Sequence, residues 1–134
     1  MKKSLSKKSS IKTTKIELPT WNLTDFYQSI NDKKIDQDFK IIEKECKIFC
    51  QKYQNKIAKI DAKNLFNAIE NYENISEKIG KISSYSYLVY ASDLSNQKHL
   101  IFYQNISEKL SIFENKLIFF TLVINNIDEK NFQK

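Results

Sequence analysis

The chain has 134 residues, 41% hydrophobic, 28% charged and 13% aromatic, with one Gly and one Pro. That length suits one domain or part of a larger one, and the apolar content suits a packed core rather than a disordered chain. So little turn punctuation excludes a sandwich, barrel or propeller built from many tight turns.

All 22 basic residues are Lys. Together with the abundance of Ile and Asn this reads as AT-rich coding bias, so lysine content alone says little about function. Position says more. Lys2, Lys3, Lys7, Lys8, Lys12 and Lys15 all precede the first acidic residue, Glu17, and from Ile16 onward lysines and carboxylates balance. The net charge of +6 therefore belongs to a Ser/Thr/Lys stretch over 1–16, expected to be a disordered, solvated tail. It has no aromatic residue to stack a base and no Arg to read one, so no specific nucleic-acid partner is expected.

The stretch after these lysines is polar, not the apolar core of a secretory signal. The longest apolar run, Leu117–Ile124, is far shorter than the roughly 18 residues a membrane-spanning helix needs, so no membrane span is expected. Two cysteines without a signal peptide point to the reducing cytoplasm.

Residues 17–134 are expected to be all-α. First comes a short aromatic segment, Leu18 to Tyr27, too small for a core of its own. Pro19 favours an extended or turn conformation at Leu18. Trp21, Leu23, Phe26 and Tyr27 have the look of a strap packed onto something else, with Thr24 or Asp25 capping a short helical turn.

Three long antiparallel amphipathic helices follow, each about 25–30 residues and roughly 40 Å long. In the first, Ile35, Phe39, Ile42, Cys46, Phe49, Tyr53, Ile57 and Ile60 step by threes and fours, one stripe of an α-helix. The second starts after Asp61, an expected N-cap. Its stripe is Leu65, Ile69, Tyr72, Ile75, Ile79, Ile82, Ser86 and Val89. Gly80 inside it suggests close approach of a neighbouring helix. The alternating Ser and Tyr residues at 83–87 weaken the helical pattern without breaking the stripe. Asp93 and Ser95 mark a break, with Ser95 expected to cap the third helix.

The third stripe is Leu100, Tyr103, Ile106, Leu110, Phe113, Leu117, Phe120 and Ile124. Near its end the apolar surface spreads to nearly all sides, which calls for cover on all sides. Asn125, Asn126 and Asp128 read as a break and the N-cap of a fourth helix.

The chemistry-bearing residues are sparse. His99 is the only histidine, expected as a solvated or capping residue near a helix start. Cys46 and Cys50, four apart on one helix, are expected in core packing rather than in a metal site. Their parallel side chains disfavour a disulfide. Glu43/Glu45, Glu70/Glu73/Glu77 and Asp128/Glu129 lie among Lys and Asn on polar faces, where helical ion pairing accounts for them. One Gly allows no phosphate-cradling loop. No catalytic, cofactor-binding or metal-ligating residue is assigned.

The segment Leu18-Pro19-Thr20-Trp21-Asn22-Leu23-Thr24-Asp25-Phe26-Tyr27-Gln28-Ser29 resembles the opening of bacterial oligoendopeptidase F, a thimet-oligopeptidase-like zinc metallopeptidase. There the pattern reads Leu-Pro-x-Trp-(Asp/Asn)-Leu-(x)-Asp-(Leu/Phe)-Tyr-x-Ser. Weaker similarity continues through Tyr72–Gly80, Ser84–Asp93 and Phe119–Asn125.

The resemblance implies the N-terminal helical region of such an enzyme, one wall of a deep channel for short peptides. The family's zinc ligands, a His-Glu-x-x-His helix and a later Glu, match no position here. In the intact enzyme, zinc activates water and polarises the scissile carbonyl. This chain is therefore expected to be inactive alone, stopping before the catalytic domain. Its partner would be a separate catalytic chain, with oligopeptide substrate bound only by the whole. The alternative expectation is a stand-alone helical interaction module without enzymatic activity, self-associating or binding a partner through Leu117–Ile124.

Overall fold

A computed structural model describes residues 19–127. The expected tail at 1–16, Leu18 and the expected cap at Asp128 lie outside the described residues. Within them the fold is all-helical, as the stripes predict. Helix α1 spans Lys33–Tyr53, α2 Ala62–Ser92 and α3 Gln97–Asn125, with a 3-10 turn at Ile57–Lys59.

Each helix begins where a side-chain acceptor satisfies its free N–H groups. Asp32 accepts from the Lys34 amide (2.9 Å), and Asp61 accepts from the Asn64 amide (2.8 Å) as expected. At α3 the cap is Asn96, not Ser95. Its Oδ1 accepts from the amides of Lys98 (3.0 Å) and His99 (3.4 Å). Ser95 is drawn the other way, donating through its amide (3.1 Å) and hydroxyl (2.6 Å) to Asp93 Oδ1. That closes the turn between α2 and α3.

Helix α1 is shorter than expected, at 21 residues. It stops at Tyr53 because Gln54 is extended and Asn55 takes φ 63°, a left-handed value that Asn tolerates better than most residues. The apolar stripe carries on across this break. The 3-10 turn returns Ile57 to the core and leaves Ile60 half-buried. Periodicity thus ran past the end of the helix that it described.

Cross-helix contacts give the directions. Tyr53 meets Asn71, Glu45 meets Lys78 and Asp38 meets Lys81, so α1 and α2 run antiparallel. Tyr72 packs on Phe120 and Tyr90 stacks on Tyr103, so α2 and α3 are antiparallel as well. Phe39 packs on Phe113 and Phe49 on Phe120, which leaves α1 and α3 parallel. The result is an up-down-up bundle.

Its core is the three stripes. Ile42, Cys46, Ile82 and Ala68 are sealed from solvent. Each fully buried Ile or Phe contributes roughly 1.5–3 kcal/mol relative to exposure. Phe49, Tyr53, Tyr72, Phe119 and Phe120 form an aromatic cluster with centroids 4.8–6.2 Å apart. Buried Ser86 is satisfied by donating to the carbonyl of Ser83 (2.9 Å). Tyr85, in the mixed Ser/Tyr stretch, is also core, so the helix there follows its buried face.

Two expectations fail on packing. An added Cβ on Gly80 would meet nothing within 4 Å, so this glycine brings no described helix closer. The end of α3 is not covered all round. Leu117 and Phe120 are buried, but Ile118 and Leu122 are more than half exposed, because among the described residues α1, α2 and the 3-10 turn that pack against α3 leave that face open.

Candidate functional surfaces

The aromatic segment before α1 is indeed a strap, and it contains the expected single turn, in which the Leu23 carbonyl accepts from the Tyr27 amide (3.4 Å). The cap is Asn22, not Thr24 or Asp25. Asn22 Oδ1 accepts from the amide (3.1 Å) and hydroxyl (2.7 Å) of Thr24, and the Phe26 amide bonds the Leu23 carbonyl (3.0 Å). The side-chain acceptor two residues back caps this turn as Asp32 caps α1.

Tyr27 then turns fully into the bundle, edge-on to Tyr85 at 4.9 Å, while Leu23 and Phe26 pack partly buried beside it. Trp21 departs from the expected packing and stays 60% exposed.

A polar latch fixes the strap. The Tyr27 hydroxyl donates to Asp38 Oδ2 at 2.6 Å, and Lys81 Nζ lies 3.4 Å from the same oxygen and 4.7 Å from the Tyr27 ring centre. Burial, reinforced by Asp38, holds the Tyr27 phenol well above its ordinary range, so it stays a donor. A second tie comes from Asp32, whose two oxygens serve different segments. Oδ1 caps α1, while Oδ2 accepts from the Gln28 amide (2.9 Å). Those hydrogen bonds, first from Gln28 and then from Lys34, hold the Asp32 carboxyl below the ordinary carboxylate range. Sequence reading missed Asp32 and Asp38. Their only signal was being acidic residues flanking the first turns of a helix.

The remaining chemistry-bearing groups do not converge. Half-buried His99 has its Nδ1 shielded from solvent without a hydrogen-bond partner among the described residues. It is neither fully solvated nor itself a cap, although its amide is held by Asn96. Cys46 is core as expected, and burial pushes its thiol up to about 11. Cys50 is only partly buried, its thiol also raised by burial and 3.5 Å from the Lys116 carbonyl oxygen. Among the described residues, no group of three or more His, Cys, Asp or Glu side chains could hold a metal ion. A protonated thiol pair beside one distant imidazole does not suit zinc, which takes thiolates and neutral imidazoles clustered around one point. The zinc of the resembled family has no fitting ligand set in these residues.

Of the expected carboxylate pairs, Glu45 leaves the polar face to bind Lys78 across helices, both oxygens 2.7 Å from Nζ. Glu70, Glu73 and Glu77 stay exposed.

Among the described residues, a groove runs between each pair of helices. One between α2 and α3, about 490 Å³, is lined by Ser76, Gly80, Ser83 and Ile118. Another between α1 and α3, about 560 Å³, contains Cys50 and Phe119. A tighter cleft between α1 and α2, about 230 Å³, holds the Tyr53 hydroxyl over an apolar floor. No described helix is long and apolar enough to cross a membrane. No family model, curated protein or solved structure matches the chain.

Proposed function

We propose that this chain is the non-catalytic, N-terminal helical portion of an oligoendopeptidase-F-like zinc metallopeptidase, an enzyme class that hydrolyses short peptides in the cytoplasm. The observation that carries this reading is the opening segment Leu18–Ser29, whose residue pattern resembles that family's. Several residues of that pattern have distinct structural work here. Asn22 closes the turn, Leu23 and Phe26 pack on the bundle, and Tyr27 latches to Asp38. A pattern whose positions differ in this way is harder to reach by coding bias than lysine-rich filler.

In this reading the bundle is a scaffold that forms one wall of a substrate channel. The peptide-cleaving ligands come from a separate catalytic chain or region. The decisive experiment begins with the neighbouring reading frame. A downstream product carrying a His-Glu-x-x-His helix should co-purify with this chain, and the pair should cleave a quenched oligopeptide in a chelator-sensitive manner. Sustained, chelator-sensitive turnover by this chain alone would overturn the scaffold assignment. Absence of any such product, or a product indifferent to this chain, counts against the family reading.

A second reading is a stand-alone interaction module, favoured by the exposed Ile112, Ile118 and Leu122 on α3. Sedimentation separates the two. A defined oligomer of the isolated chain supports the module, whereas aggregating or poorly folded material supports dependence on a catalytic partner.

A further inference from the structure

The cleft between α1 and α2 has features that the packing of the bundle does not require. Its floor is apolar, formed by Ile48, Phe49 and Ile75. At its head stands Tyr53, only 3% exposed. Asn71 Nδ2 donates to the Tyr53 hydroxyl oxygen at 3.2 Å, yet among the described residues the hydroxyl's own proton has no acceptor. The hydroxyl opens onto the cleft, so its proton is available to a bound acceptor in place of solvent.

Charge at the cleft is one-sided. Lys52 Nζ sits 5.0 Å from the Tyr53 ring centre and pairs with no carboxylate among the described residues. The one acid lining the cleft, Glu45, is occupied on both oxygens by Lys78. That pair is neutral overall, so Lys52 leaves the cleft with one uncompensated positive charge.

We propose that this cleft binds the carboxylate end of a small apolar acid. The carboxylate accepts the Tyr53 proton and faces the Lys52 ammonium, while the apolar body lies on Phe49 and Ile75. A cation would find no free carboxylate. A phosphate dianion would exceed the single positive charge on offer. The volume of about 230 Å³ limits the part of the ligand held inside the open cleft to roughly ten non-hydrogen atoms, below the usual size of drug-like sites. The proposal does not depend on the peptidase reading and would survive its failure.

The test is an amide-resolved NMR titration of the full chain with 4-methylpentanoate and, separately, 4-methylpentanamide. The acid should produce saturable shifts across residues 48–53 and 71–78 at millimolar concentration, with the amide at least fivefold weaker. Tyr53→Phe and Lys52→Met should each weaken the acid at least threefold, and Ser111→Ala, on the exposed face of α3, should leave it unchanged. Equal binding of acid and amide, shifts outside the cleft, or no saturable shift would each overturn the proposal. If Tyr53→Phe perturbs folding, exposed Lys52→Met alone decides, since unchanged binding there removes the charge argument. A tripeptide ending in leucine, run alongside, distinguishes the source: competition with the acid assigns the site to peptide C-termini, and its failure to bind assigns it to free acids.

Discussion

The Tyr27 hydroxyl donates a 2.6 Å hydrogen bond to Asp38, joining a residue before the first helix to one on its second turn. The acceptor is a carboxylate shared with Lys81 of α2, so one oxygen ties three segments together. Charge-assisted bonds of this kind are shorter and stronger than neutral ones.

Tyr27→Phe keeps the ring against Tyr85 and removes only the hydroxyl. It should cost about 1–2 kcal/mol. Tyr27→Ala also empties a buried site and should cost about 3–5 kcal/mol, in the range of other large aromatic truncations. Urea midpoints compare the two. Equal losses would mean that the ring contributes nothing and that the strap is held by the latch alone.

Acid titration isolates Asp32. Its folded carboxyl titrates below the ordinary value of 3.8, because the Gln28 and Lys34 amides stabilise the charged form. A depressed folded value contributes stability above the unfolded value, and that contribution is lost as pH falls through the folded one. Asp32→Asn, whose amide nitrogen offers Gln28 no acceptor, should therefore be less stable than the parent at pH 7. The deficit should shrink once pH drops below about 4. Thermal melts from pH 7 to pH 2.5 measure it, and a gap that widens with acid contradicts the assignment.

Asn96→Ala should lose about 1 kcal/mol, since it removes the acceptor for two amides at the start of α3. Ser95→Ala should cost less, because Ser95 only braces Asp93 in an exposed turn. Paired denaturation curves decide the order, and the reverse order would restore Ser95 as the cap.

Gly80→Ala should stabilise the isolated chain by about 0.5–1 kcal/mol. The helix gains a better former, and the new methyl meets open space. Calorimetry gives the sign directly. A loss of stability would show that another surface already presses on this position.

Much of the fold was legible because burial imposes a period. Ile35 to Tyr53, Leu65 to Val89 and Ile106 to Phe120 are buried or half-buried as their spacing predicted. Asp61 was readable for the same local reason, an acceptor standing before an apolar stripe. The misreadings arose where local rules compete. Ser95 and Asn96 are both good caps, and only the pull of Asp93 on Ser95 decides between them. The end of α1 turns on Asn55, while Ile57 preserves the period beyond it. Gly80 was read as a close approach, and only the placement of the neighbouring helices shows open space there instead.

The candidate cleft was not legible at all. Tyr53 and Asn71 stand 18 residues apart, and nothing in either stripe marks the unspent hydroxyl proton. Trp21 was read as packed because large aromatics usually are; the short strap reaches the bundle through Tyr27 instead.

That last difference has a spectroscopic consequence. Trp21 is the chain's sole indole and already faces water in the native state. Its emission should be red-shifted before denaturation and change little during it, which makes intrinsic fluorescence a poor monitor of unfolding. The same property makes it a built-in reporter for docking, since a blue shift on mixing would signal that another molecule has covered the strap.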